Sequence, residues 1–210
     1  MRIVKASLIT PTIAMRVKQS LKFQMSIILT VCTSISATCL AQPGIQNFSL
    51  TNVVDGKPIS LDQYTSSLVV VVVFTSNECP FDNYYKGRIK EMISSYSGKV
   101  QFLLINSHPT PEESDEKMAI HLADLSAPYL ADKDQTVMEN FGAKKSPEVF
   151  VLKPAAGKFM MMYSGAIDDN PQVSTDVKQN YLKDAIDKVL SGQRIEVISN
   201  RAVGCSIRRK

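Results

Sequence analysis

Residues 69–80 read VVVVVFTSNECP: five valines and Phe74 give way to Thr75, Ser76, Asn77 and Glu78, and then to Cys79-Pro80. The apolar run is too short to span a membrane and has the character of a strand buried on both faces. Pro80 is the residue type favoured at the first position of a helix. A thiol between them sits on a strand-to-helix turn, beside unpaired backbone N–H groups and the positive end of a helix dipole, a setting that favours thiolate. A cysteine's ordinary place is the core. Here the polar neighbours Ser76, Asn77 and Glu78 argue against that, so the reading expects Cys79 to be exposed and reactive. Glu78 works in the other direction. A helix N-terminus favours an anion by about 0.3–1 kcal/mol, and a like charge about 6–7 Å away costs about 1 kcal/mol, so the two nearly cancel.

Outward from the turn, strands and helices alternate. Ile45–Leu50 and Lys57–Leu61 flank the turn signal Asp55-Gly56 and predict a short hairpin or arm before the first core strand, Leu68–Phe74. After the cysteine, Phe81, Tyr85, Ile89, Met92, Ile93 and Tyr96 share one helical face, and Gly98 closes the helix. Val100–Ile105 is the next strand. Thr110-Pro111-Glu112-Glu113 has the form of a helix start, with an N-cap, a proline at N1 and an acid at N3. Further along, Pro128–Ala131 reads as a strand, Gln135–Phe141 as a helix closed by Gly142, and Glu148–Leu152 as a strand behind Ser146-Pro147. Lys158–Gly165 pairs back as a hairpin strand, and Val177–Leu190 is amphipathic. The order implies an α/β fold: a central mixed sheet flanked by helices, with an N-terminal hairpin or arm and a C-terminal tail.

The first 41 residues carry five basic side chains (Arg2, Lys5, Arg16, Lys18, Lys22), no acids, and an apolar stretch from Phe23 to Leu40 before the small residue Ala41. This is the layout of a secretory signal peptide, with Met15 as an alternative start. A retained anchor and lipidation at Cys39 are the other readings; five Ser and Thr residues dilute the first, and Ser36-Ala37-Thr38 is a poor signal for the second. The expected organisation is a leader over 1–41, a domain over 42–193 and a tail over 194–210. The whole chain is +4, whereas residues 42–210 carry −1, so no basic balance points to nucleic acid or to an anionic membrane. Two cysteines, Cys79 and Cys205, belong to the part after the leader, in a secreted or periplasmic setting that permits disulfides.

The element order, the cysteine at the first strand-helix turn and Pro147 before a later strand resemble the thioredoxin fold. More narrowly, the chain resembles the peroxiredoxin-like proteins of the alkyl hydroperoxide reductase and thiol-specific antioxidant (redoxin) group. The resemblance rests on Phe74–Pro80 with Tyr85 and Arg88, on Ile105-Asn106-Ser107, on Ser146-Pro147 before Val149–Leu152, on Gly165–Asp169 and on Val203–Ile207. It implies a thioredoxin-like domain and a thiol oxidoreductase or peroxiredoxin-like antioxidant without cofactor or metal. It also implies a peroxide or a protein thiol or disulfide as substrate, and an external thiol as reductant.

The chain departs from that group at the turn. Relatives show Cys-x-x-Cys-Pro, and here the first cysteine is Ser76, so dithiol exchange within the motif is closed. Two enzymatic readings follow. In one, Cys79 is a peroxide-reacting thiolate with Ser76 donating a hydrogen bond to it, as the Thr/Ser-x-x-Cys arrangement of peroxiredoxins implies. In the other, it forms mixed disulfides with partners. Peroxiredoxins carry a proline where this chain has Val72 and an arginine where it has Ser146-Pro147, leaving Arg88 as the cation that would approach substrate. Pro147, with Ser146, fits the cis-proline loop of thioredoxin-like proteins, which faces the active cysteine and binds substrate backbone. Cys205 is open between a resolving thiol, a permanent bridge to Cys79 and an unpaired thiol. A scaffold that has lost dithiol activity and binds partners near Pro147 is the non-enzymatic alternative. His108, after the second core strand and within reach of the cysteine side of the sheet, reads as a solvated loop side chain; His121 lies on a helix whose apolar face is already accounted for, Asp168-Asp169 reads as a turn, and Met160–Met162 as strand packing with one residue exposed.

Overall fold

The computed structural model describes residues 44–122 and 124–210; the leader expected over 1–41 lies outside them. Gln42–Lys210 forms one compact unit. The strands are β1 (Ser49–Asn52), β2 (Pro58–Ser60), β3 (Val69–Phe74), β4 (Val100–Asn106), β5 (Tyr129–Ala131), β6 (Lys145–Ser146), β7 (Glu148–Ala155), β8 (Lys158–Gly165) and β9 (Cys205–Ser206). The helices are α1 (Pro80–Ser95), α2 (Asp115–His121), α3 (Thr136–Phe141) and α4 (Tyr181–Leu190). Seven strands make one mixed sheet in the order β2-β1-β5-β4-β3-β7-β8, and β6 and β9 form a separate pair.

The valine run is the centre of this sheet. β3 lies between β4, to which it is parallel, and β7, to which it is antiparallel. Every residue from Val69 to Phe74 is fully buried. Side chains alternate across the strand, so Val69, Val71 and Val73 enter one core with Tyr85, Ile89 and Ile186, while Val70, Val72 and Phe74 enter the other with Phe141 and Phe150. Phe74, Phe141 and Phe150 meet edge to face. A continuous apolar run, with no polar alternation, is what a strand covered on both sides requires.

The expected hairpins form, β1 with β2 and β7 with β8. Three local readings change. Thr110–Glu113 is not the first turn of α2 but a separate 3-10 turn (Pro111–Glu113), and Thr110 makes no side-chain cap. The last helix begins at Tyr181 instead of Val177, after another 3-10 turn, Ser174–Asp176. Residues 194–210, read as a polar tail, pack into the unit: Ile195, Ala202 and Ile207 are buried, and at the end of β8 Ser164 N–H donates to the Ile198 carbonyl while the Ser164 carbonyl accepts from Asn200 N–H. Gly165, at φ +130°, is what allows this, since a Cβ there would overlap the Asn200 carbonyl. No helix among the described residues is long and apolar enough to cross a membrane.

Candidate functional site

β3 delivers Thr75–Cys79 to the carboxyl end of the parallel strands, and α1 starts at Pro80 with Cys79 as its N-cap residue. The tail passes the same point from the other side, and Cys79 and Cys205 are joined by a disulfide with Cα atoms 5.9 Å apart. Contrary to expectation, Cys79 is buried, at 2% exposure. The sulfur is covered by its own partner strand: β9 pairs antiparallel with β6, placing Cys205 opposite Ser146. Cys205 is partly exposed. Cys79 Sγ lies 3.2 Å from the Ser146 carbonyl oxygen, a contact without a proton while the bridge is closed. The Ser146–Pro147 peptide is cis.

The polar residues before the cysteine are organised by a side chain that the sequence reading placed elsewhere. Glu113, 1% exposed, turns inward. It accepts hydrogen bonds from the Ser76 hydroxyl at 2.5 Å, from the N–H groups of Asn77 and Glu78, and from the Asn106 amide at 2.6 Å. Burial alone would raise the Glu113 pKa; these donors outweigh it and hold the carboxyl below its ordinary value. The same bond settles Ser76. Its proton points at Glu113 and its oxygen accepts from the N–H groups of Glu78 and Cys79, so it does not donate to the sulfur as the peroxiredoxin comparison implied. A carboxylate is the stronger acceptor and takes the proton.

Asp82, one turn into α1, is also buried, at 4% exposure. Its Oδ1 accepts from the Thr75 hydroxyl at 2.6 Å, and among the described residues Oδ2 has no partner. Burial is the main reason its pKa is pushed up to about 8; the Thr75 bond opposes the shift and the Glu113 charge adds to it. The clue was present in the sequence. Asp82 stands three and seven residues before Tyr85 and Ile89, on the same helical stripe.

Beside the disulfide lies a cavity of about 370 Å³ lined by Ser76, Glu78, Cys79, His108, Thr110, Glu113, Cys205, Ser206 and Arg208. His108 is not solvated: its Nε2 is 3.1 Å from the Ser146 hydroxyl, and burial lowers its pKa, with the Glu113 charge opposing and Arg208 reinforcing the shift. Arg208 is a cation that sequence reasoning passed over, hidden in a basic terminus. Arg88 is engaged elsewhere. Its guanidinium pairs with Asp168, donates to the carbonyls of Asn170 and Pro171, and lies over the Tyr85 ring. Asp168 in turn accepts from the Tyr85 hydroxyl at 2.7 Å, so the segment read as a turn is anchored by a buried ion pair. Arg88 therefore does not line the cavity at Cys79, because three oxygen acceptors and an aromatic face hold it on the other side of α1.

A family model described as AhpC/TSA matches residues 43–164, more than half of the chain. The chain belongs to the AhpC/TSA family. The matched span includes Ser76, Cys79 and Pro147 and ends before Cys205. No curated protein matches. Among solved structures, an uncharacterized conserved protein from Geobacillus kaustophilus is 28% identical with a TM-score of 0.73, covering 80% of this chain and 90% of that one. A hypothetical protein from Sinorhizobium meliloti 1021 is 27% identical at 0.71, covering 78% and 91%. The dsbF protein of Mycobacterium tuberculosis, solved in mixed oxidized and reduced forms, is 18% identical at 0.51, covering 68% and 94%, a likeness of fold. The AhpC/TSA domain is thus a thioredoxin-like sheet, and the elements above put its one in-motif cysteine against the Ser146 carbonyl, just before Pro147.

Proposed function

We propose that this AhpC/TSA protein is a secreted or periplasmic thiol-disulfide oxidoreductase whose redox couple is Cys79 with Cys205, the distant cysteine replacing the one lost at Ser76. The observation that carries the reading is the bridge itself: it lies at the strand-helix turn, against Ser146-Pro147, with one sulfur buried and the other reachable. A partner thiolate attacks the sulfur of Cys205, a partly exposed residue lining the cavity, and Cys79 departs as a thiolate at the N-terminus of α1, where the helix dipole favours negative charge. A second thiol then releases Cys205, leaving a dithiol protein and an oxidised partner. In the other direction the dithiol form reduces a partner disulfide, with Cys79 as the attacking thiolate and Cys205 closing the bridge behind it.

A peroxidase reading has less support. The Ser76 proton is committed to Glu113 and Arg88 to Asp168, so neither is free to stabilise a peroxide at Cys79. The layout of residues 1–41 and a disulfide that needs an oxidising compartment together support export.

The test is to equilibrate native protein with glutathione and dithiothreitol buffers, count free thiols by alkylation and mass, and follow turnover of a disulfide substrate. An exchange couple has a midpoint potential in the folded protein higher than about −270 mV, and Cys79→Ser and Cys205→Ser each abolish turnover. A bridge that yields only when denaturant unfolds the chain would make it a staple and the protein a scaffold.

A further inference from the structure

The segment Gly204-Cys205-Ser206-Ile207 lies on the domain as a bound peptide lies on a receptor. Cys205 and Ser206 add as a strand to Lys145–Ser146, and Ile207 N–H donates to the Lys144 carbonyl at 3.0 Å. Among the described residues strand β6 has no other sheet neighbour. Each of the four positions meets a different surface. At Gly204 a Cβ would overlap the Ser146 carbonyl and stand 3.0 Å from Pro147 N, so a side chain is excluded. Cys205 is bonded to Cys79. Ser206 points outward, its Oγ accepting from Lys145 Nζ at 3.0 Å. Ile207 is buried in the core that contains Phe74, Phe141 and Phe150.

We propose that residues 204–207 are a tethered occupant of the edge Lys144–Pro147, and that the partner segments which take their place carry the same pattern, Gly-Cys-x-aliphatic. Strand addition supplies backbone hydrogen bonds to any extended chain, and the alternating side-chain positions supply selectivity. The proposal rests on the exchange reading of Cys79. After an external dithiol has opened the bridge and become a disulfide itself, the Cys79 thiolate attacks the sulfur of a docked partner cystine. The partner's other sulfur leaves as a thiolate, and the partner cysteine takes the place Cys205 held. Cys205 thiolate then attacks the Cys79 sulfur and expels the partner cysteine. The bridge closes, and the partner disulfide has gained the two electrons that the dithiol gave.

The probe is a peptide of residues 202–208 whose cysteine carries thionitrobenzoate. It is reacted with the full-length Cys205→Ser protein, with release followed by absorbance and the adduct at Cys79 quantified by peptide mapping. The Gly-Cys-Ser-Ile peptide is expected to label Cys79 at least tenfold faster than one with alanine before the cysteine, and at least tenfold faster than one with aspartate two places after it. Equal rates for all three, with Cys79 still reacting with small disulfides, would overturn the docking edge and leave the exchange reading standing. A Cys79 inert to every disulfide would overturn both. Should Cys205→Ser not fold, Gly204→Ala in the otherwise native chain supplies a second measurement. Displacing the occupant should raise the ratio of open to closed bridge about tenfold in a fixed glutathione buffer, and an unchanged ratio counts against the proposal.

Discussion

Glu113 accepts the backbone N–H of Asn77 through both of its oxygens, at 3.0 and 2.9 Å, and so fixes the turn before Cys79 from 36 residues away. With Ser76, Glu78 and Asn106 also donating, its charge is one of the supports of the site. Glu113→Gln keeps the shape but replaces an acceptor-only group by one that brings its own donors, leaving buried N–H groups short of partners. The expected loss is about 2–4 kcal/mol, read by urea unfolding of the oxidised protein at pH 7. A loss below a few tenths would mean that water replaces the carboxylate.

Asp82 and Glu113 give stability opposite slopes with pH. The Glu113 pKa is depressed in the fold, so its contribution is present above the ordinary carboxylate range and lost as pH falls through the folded value. The Asp82 pKa is raised to about 8, so the fold binds a proton the unfolded chain has released, and stability falls as pH rises from about 4 to about 8. The oxidised protein should therefore be most stable at mildly acidic pH. Asp82→Asn should abolish the decline on the alkaline side and make the variant more stable than wild type at pH 8.5. Parallel curves for the two proteins between pH 5 and 9 would show that Asp82 is ionised throughout.

Arg88 separates support of the fold from support of the chemistry. Arg88→Met strands the Asp168 carboxylate, 2% exposed at its side chain, together with the carbonyls of Asn170 and Pro171. Breaking a buried pair from one side costs about 3–5 kcal/mol, and the thermal midpoint should drop accordingly. The rate at which dithiothreitol opens the native Cys79–Cys205 bridge should stay within about twofold of wild type, because Arg88 does not line the cavity there. A tenfold slower opening would return Arg88 to the substrate-binding role that the sequence suggested.

Much of this architecture is legible from short-range pattern. The valine run, the Asp55-Gly56 turn and the proline after Cys79 each act through local sterics or burial, and they appear in the fold within a residue or two of where they are read. What escapes is non-local. Glu113 looks like a helix-capping acid because Thr110-Pro111-Glu112-Glu113 satisfies the local rule; only the unpaired N–H groups of residues 77 and 78, brought near by β4, pull it inward. Asp82 is readable as an anomaly on an apolar stripe, but its partner Thr75 lies across a strand-helix turn. The exposure of Cys79 was misread for a related reason: its cover is a strand 126 residues distant. The path of the tail that carries that strand depends on two glycines, Gly165 and Gly204, whose lack of a side chain matters only where backbone meets backbone.

The tail gives the last test, because its attachments differ in kind along its length. Residues 198–200 are held by backbone hydrogen bonds to Ser164, and residues 208–210 by Gln135, which donates to the Arg208 carbonyl and accepts from Lys210 N–H. Between them the covalent bond at Cys205 closes a loop long enough that its loss costs about 5 kcal/mol in the chain-entropy model. Each flanking attachment alone is worth only about 0.5–1.5 kcal/mol per hydrogen bond, so an opened bridge leaves the strand free to detach. Limited trypsin digestion should spare the oxidised protein and cut the reduced protein first at Arg201 and Arg208, with the domain from β1 to α4 persisting as a resistant fragment. Equal protection in both redox states would mean that Ile207 and the β6 pairing hold the tail without the sulfur, and that reduction does not uncover Lys145–Ser146.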